Sequence, residues 1–160
     1  MITVVQRVRR ARVTVGDEVV GEIGVGLLLL VGVERGDTAT DADATARKVV
    51  QLRCFPGRTP MDRTVAEVDG GCLVVSQFTL AAELAAGNRP SFTDAAPPEL
   101  AAPLYERVAA QLRAAGRTVA TGRFGASMQV ELCNDGPVTF VLVASGGRVR
   151  DRRAGGPAAD

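Results

Sequence analysis

Apolar and polar positions alternate along the start of the chain and change rhythm further on. Residues 3–15 are rich in Val and Thr, Gly16-Asp17 supplies a turn, and residues 18–23 follow as a return strand. The alternation slips at Arg9-Arg10, which predicts a β-bulge that re-aims one face of the first strand. Residues 25–33 form an almost unbroken apolar run, too short to span a bilayer and suited to a strand buried on both faces. Over residues 38–53 the period becomes helical, with Ala42, Ala46, Val49 and Val50 in register, acids leading and bases trailing. Pro56, Gly57 and Pro60 then open a loop. A short strand is expected at 65–68 and a core strand at 72–78. Residues 81–96 are punctuated as loop, and a second helix is expected over 97–115 with Leu100, Leu104, Val108 and Leu112 spaced by four. Pro103 sits beyond its first turn, which predicts a later start or a kink. The last strands fall at 118–123, 128–133 and 138–144, and Asn134-Asp135-Gly136-Pro137 is expected to be the turn joining the final pair.

Residues 145–160 break the pattern, holding Arg, Gly and Ala without periodicity, and are expected to be a disordered tail behind a single domain at 1–144. That tail carries four Arg and two Asp, more than the formal net charge of +1, so the body is slightly acidic. Bulk electrostatic binding of long nucleic acid is therefore disfavoured. Neither a signal peptide nor a membrane span is visible, and a cytoplasmic protein is expected. The 160 residues include no histidine, which removes Ser-His-Asp and Cys-His arrangements, His-ligated zinc and any imidazole base. Cys54, Cys72 and Cys133 lack C-x-x-C spacing and fit reduced thiols. Cys72 and Cys133 lie in apolar strands as core residues; Cys54 adjoins Arg53, which would lower its pKa slightly, with no base in sequence reach. Nucleotide-binding glycine motifs are absent, and no cofactor or metal is expected.

A few segments remain that packing alone does not explain. In Val74-Val75-Ser76-Gln77-Phe78-Thr79-Leu80 polar groups gather at the end of a core strand, where α/β sheets place their sites; Ser76 and Thr79 fit turn hydroxyls equally well. In the stretch from Met128 through Asn134 to Thr139, the Gly136-Pro137 pair is a turn signal or a fixed rim of carbonyls. Arg7, Arg9, Arg10 and Arg12 form either a solvated strand face or an RNA contact without interleaved aromatics. The pairs Asp41/Asp43 and Glu67/Asp69 suit capping better than paired acid–base chemistry.

S-Q-F-T-L at 76–80, N-R-P-S-F at 88–92, T-G-R-F-G-A-S-M at 121–128 and N-D-G-P-V-T at 134–139 resemble the D-aminoacyl-tRNA deacylases. So do M-I-T-V-V-Q-R-V at the start and the G-E-I-G-V-G-L-L-L-L-V-G-V run, and the likeness extends in order from Met1 to about Ala144. The resemblance implies an α/β fold with a mostly antiparallel, barrel-like sheet, two main helices and a homodimer. It implies hydrolysis of the ester joining a D-amino acid, or glycine mischarged on tRNA-Ala, to the 3′ end of tRNA, as chiral proofreading in translation. By the same likeness Ser76, Gln77, Phe78 and Thr79 grip the adenosine and the α-amino group. Gly136 and Pro137, joined by a cis bond, enter the partner's pocket and leave no room for an L side chain. Arg7, Met128 and Asn134 are supporting residues. The loop at 56–60 is richer in Pro than the family's, Asp62 stands where Asn is common, and the tail has no counterpart. A chirality-relaxed deacylase, a non-catalytic tRNA-end-binding module using Arg7 to Arg12, and a structural homodimer domain are the alternatives.

Overall fold

A computed structural model describes residues 1–85 and 87–150. The opening strand β1 (Ile2–Val15) organises the sheet, pairing antiparallel with β2 (Glu18–Ile23), β3 (Gly26–Gly32) and β6 (Gln129–Ser145). Beyond β3, β4 (Gly71–Ser76) and β5 (Val119–Thr121) continue the sheet in parallel, while β7 (Arg148–Arg150) folds back on the end of β6. The strand order is β5-β4-β3-β1-β6-β7, with β2 alongside the second half of β1. Helices α1 (Ala39–Gln51) and α2 (Pro98–Ala114) join β3 to β4 and β4 to β5, as parallel pairs require. The expected α/β class, mostly antiparallel sheet and two main helices are all present. Barrel closure is not. Strand β2 curls over until a Cβ added at Gly21 would stand 2.5 Å from the Thr121 carbonyl oxygen, yet no ladder joins β2 to β5 among the described residues.

Side-chain alternation explains a core on both faces. Val5, Leu27, Leu29 and Val31 pack with Val49, Leu104, Val108 and Leu112 of the helices. Val8, Ala11, Val13, Leu28, Leu73 and Val75 form a second cluster on the opposite face under β2. The run of leucines is therefore buried on both sides, as its pattern predicts. Between Val8 and Ala11 the buried phase of β1 shifts, because Val8 faces Asn134 while Arg10 faces Cys133. That is the bulge expected at Arg9-Arg10.

Several expectations are corrected. Residues 65–68 form turns rather than a strand: Thr64 and Glu67 make a capping-type exchange, the Glu67 side chain accepting from Thr64 N–H at 2.7 Å, and Gly70 N–H closes on the Val65 carbonyl at 2.8 Å. Helix α2 runs through Pro103, whose missing N–H leaves only the exposed Glu99 carbonyl without its partner. Asn134 to Pro137 is no hairpin turn, since both halves of β6 pair with the same β1. Gln6 faces Thr139 and Val8 faces Asn134, so the intervening β6 residues loop outward as a large bulge. Ser145 and Arg148–Arg150 are ordered in a hairpin with Gly146 and Gly147 at positive φ, where glycine carries no Cβ penalty. The remainder of the expected tail, 151–160, lies outside the described residues. Cys133 is only partly buried, and burial pushes the Cys54 thiol up to about 11 rather than down. Asp41 and Glu67 do act as capping acceptors, each bonded to a threonine of its own turn. Among the described residues no helix is long and apolar enough to cross a membrane.

Candidate active site

At the carboxyl end of β4 the chain leaves the sheet and makes a single 3-10 turn, Phe78–Ala81. Two features of the sequence place it there. Gln77 N–H donates to the Val31 carbonyl at 2.8 Å, extending the β3–β4 pairing by one step. Gly32 lets the turn sit close: a Cβ there would stand 2.8 Å from Leu80 Cβ and 3.0 Å from the Gln77 carbonyl oxygen. Phe78 and Thr79, at the start of the turn, donate their N–H groups to no protein acceptor among the described residues.

Two cavities flank this segment. One of about 330 Å³ lies between the ends of β3 and β4 and the start of α2, with Ser76, Gln77, Phe78, Tyr105 and Phe124 on its walls. The other, about 210 Å³, lies on the far side of Ser76 and Phe78 and is closed by Met128. Phe78 is 57% exposed and meets Phe92 edge-on with ring centroids 5.1 Å apart. Phe92 is brought there by the pairing of Glu83 with Ser91, which folds the preceding loop onto itself. No Asp, Glu, Lys or Cys lines either cavity. The one acidic group in the walls is the Tyr105 phenol, which burial pushes up to about 12. Its hydroxyl donates to the Val74 carbonyl at 2.9 Å and tethers β4 to the Gly122 segment. The Thr79 hydroxyl accepts from Gln77 Nε2 at 2.5 Å, a donor that cannot take its proton. What the pocket offers a substrate is apolar wall, backbone amide and neutral hydroxyl.

The other expected residues gather elsewhere. Gly136 and Pro137, joined by a cis peptide, form the crest of the β6 bulge. Asn134 fixes its base: Nδ2 donates to the Arg7 carbonyl at 2.8 Å and to the Val138 carbonyl at 3.3 Å, and Oδ1 accepts from the Thr139 hydroxyl at 3.2 Å. Arg7 is buried, donating to the Asp135 carbonyl at 3.0 Å and to the Cys54 carbonyl at 2.5 Å. It braces the bulge and is unavailable to phosphate. The bulge sits three strand spacings from β4, roughly 14 Å across the sheet, so a chain does not bring Gly136 to its own pocket. Ser76, Gln77, Phe78, Thr79 and Met128 thus form one cluster, and Arg7, Asn134, Gly136 and Pro137 another.

A match to the family described as D-Tyr-tRNA(Tyr) deacylase spans residues 4–143. The chain belongs to that family. It is a family of hydrolases, and the relatives agree closely along their length. A D-aminoacyl-tRNA deacylase of Azoarcus sp. is 57% identical over 145 residues, covering 89% of this chain and 95% of its own. One from Chloroflexus aurantiacus is 54% identical over 156 residues, covering 97% of each. Among solved structures, a c-Myc DNA Unwinding Element Binding Protein superposes with a TM-score of 0.85 at 40% identity, covering 91% of this chain and 99% of its own. A probable eukaryotic D-amino acid tRNA deacylase gives 0.75 at 16% identity over 88% of this chain and 97% of its own, a likeness of fold alone.

Sequence reasoning missed Tyr105 and Phe124 as walls of the larger cavity, and Phe92 as the ring packed against Phe78 at its edge. Tyr105 is the single tyrosine, one position off the apolar stripe of α2, and a buried phenol in that place signals a partner to be found. Phe92 and Phe124 stand inside two of the motifs that carried the resemblance, at 88–92 and 121–128.

Proposed function

We propose that the protein hydrolyses the ester of D-aminoacyl-tRNA, and of glycyl-tRNA mischarged on tRNA-Ala, as chiral proofreading in translation. The observation that carries this reading is the pocket at the end of β4, whose rim carries Ser76, Gln77 and Phe78, with Thr79 bonded to Gln77 beside it, and whose walls hold no side-chain base. Such a site suits an activated ester, for which positioning a water and holding the developing oxyanion supply most of the catalysis. The apolar cavity takes the terminal adenosine, with Phe78 and Phe92 as aromatic surfaces and Gln77 and Thr79 as polar contacts. Water adds to the ester carbonyl, and the oxyanion is received by the free N–H groups of Phe78 and Thr79. Collapse expels the ribose oxygen, which takes up the proton that the water gives up, relayed by the neighbouring 2′-OH of the same ribose.

Selection against L substrates falls to Gly136 and Pro137. Since the bulge lies about 14 Å across the sheet from its own pocket, these residues act in the pocket of a second copy, and the working form is a homodimer. Asn134 and Arg7 support them by holding the bulge, and Met128 supports Ser76 from the smaller cavity. The α-hydrogen of a D substrate faces the Gly136 and Pro137 carbonyls, where an L side chain would collide with backbone. Glycine passes for want of a side chain.

The test uses purified protein with D-tyrosyl-tRNA, glycyl-tRNA-Ala and uncharged tRNA, together with sedimentation. Cleavage of both esters by a dimer is expected. Salt-sensitive binding of uncharged tRNA with no ester cleavage would replace the enzyme by an RNA-end-binding module, and activity in a stable monomer would refute the shared pocket.

A further inference from the structure

The loop between α1 and β4 carries exposed cationic side chains that the hydrolytic site leaves unused. It folds back on itself: Cys54 and Phe55 N–H groups both donate to the Arg63 carbonyl, at 3.0 and 2.9 Å, and Asp62 N–H donates to the Phe55 carbonyl at 2.9 Å. Three arginines stand on this loop, and two are held by its own backbone. Arg53 Nε donates to the Asp62 carbonyl at 2.5 Å, and Arg63 Nε to the Pro56 carbonyl at 2.7 Å. Both side chains are exposed; Arg53 Nη2 lies 3.7 Å from Asp62 Oδ1, and the terminal nitrogens of Arg63 have no hydrogen-bond partner among the described residues. Arg58 is 94% exposed, with Asp62 3.9 Å away.

Arg7 ties this loop to the Gly136 bulge through its bonds to the Cys54 and Asp135 carbonyls. Arg9, on the outer face beside the bulge, is 3.3 Å from Asp135 and 73% exposed. In this region Arg7, Arg9, Arg53, Arg58 and Arg63 oppose Asp62, Glu67, Asp69 and Asp135, an excess of one positive charge, with every arginine except Arg7 presented outward. A free arginine gives up rotamer entropy when it binds an anion. One anchored at Nε has already given it up and keeps its terminal donors for a planar, multidentate contact.

We propose that Arg53, Arg58 and Arg63 contact backbone phosphates of the substrate tRNA beyond its aminoacylated end. The inference rests on the deacylase reading above, in which the adjoining bulge enters the partner's pocket. The arginine loop then flanks the mouth of the pocket that receives the tRNA, and phosphate is the group whose charge and geometry match it.

The test compares D-tyrosyl-tRNA with the D-tyrosyl ester of the trinucleotide CCA, which has the reacting end and no stem. For wild type and the double variant Arg58→Gln/Arg63→Gln, kcat/KM is measured across a salt series. The variant is expected to lose about three- to tenfold toward tRNA at low salt, and its logarithmic salt slope to shrink by about 1.5, near 0.7–0.9 for each lost phosphate contact. Its activity on the trinucleotide ester stays at the wild-type level, and Arg58→Lys/Arg63→Lys keeps most of the slope. An unchanged slope, or an equal loss on both substrates, overturns the inference while leaving the deacylase reading intact. A wild-type protein inert toward both esters overturns the reading itself, and the inference with it.

Discussion

Thr79→Ala separates a backbone-built site from one that uses a threonine nucleophile. The Thr79 hydroxyl accepts from Gln77 Nε2 at 2.5 Å and has no proton acceptor in either cavity wall. Its removal costs one neutral hydrogen bond between exposed side chains, about 0.5–1.5 kcal/mol. With 1.4 kcal/mol equivalent to tenfold, that is a slowing of about two- to tenfold. Loss of a true nucleophile costs far more, up to roughly a million-fold. The assay is single-turnover hydrolysis of D-tyrosyl-tRNA at saturating enzyme, with tRNA binding measured in parallel. As Thr79 is one of several contacts to the adenosine, binding is expected to weaken by no more than about tenfold and the rate at saturation to fall no further than about tenfold. A loss beyond about a thousandfold with binding intact would show the hydroxyl to be the attacking group and refute the reasoning.

Two glycines should behave oppositely. Gly32→Ala drives a Cβ to 2.8 Å from Leu80 Cβ, so it is expected to destabilise by about 1–3 kcal/mol in denaturant melts and to depress kcat/KM as the Phe78 turn is pushed outward. Gly136→Ala meets nothing nearer than 3.5 Å in its own chain, so stability should hold within about 0.5 kcal/mol while D-tyrosyl-tRNA hydrolysis falls, and unchanged turnover would count against the partner's-pocket role. Tyr105→Phe removes the 2.9 Å bond to the Val74 carbonyl, which keeps its bond from Gly122 N–H at 2.9 Å. A cost of about 1 kcal/mol and a Tm lower by about 2–4 °C in calorimetry are expected. Burial raises the Tyr105 phenol to about 12, so it stays neutral well above physiological pH and no wall residue titrates near neutrality. The single-turnover rate should therefore show no enzyme-derived bell between about pH 5 and 9; a bell persisting when the substrate's amino group is acetylated would reveal a missed base.

Local pattern carried the fold a long way. The switch of alternation at Arg9-Arg10, the doubly buried leucines and the capping acids at α1 were legible because each is a property of neighbouring residues. The failures were non-local. Asn134 to Pro137 has the composition of a turn, and only its pairing with β1 on both sides makes it a bulge. Residues 65–68 have strand composition, but Thr64 and Glu67 are the ends of a T-x-x-E cap that outweighs it. The site divides in the same way. Ser76 to Thr79 was visible as polarity at a strand end. Tyr105, Phe92 and Phe124 come to it from α2 and two loops, through contacts that no spacing encodes. Arg7 was visible as charge, yet its burial against Cys54 and Asp135 turns a candidate phosphate ligand into a brace.

Selection by handedness is the central claim, and the ratio of single-turnover rates on D- and L-tyrosyl-tRNA tests it most directly. A carbonyl wall that excludes an L side chain should slow the L ester by about a hundredfold or more, near 3 kcal/mol, the upper range for forcing atoms into a filled site. Equal rates on the two esters would contradict the account and leave a deacylase without chiral selection.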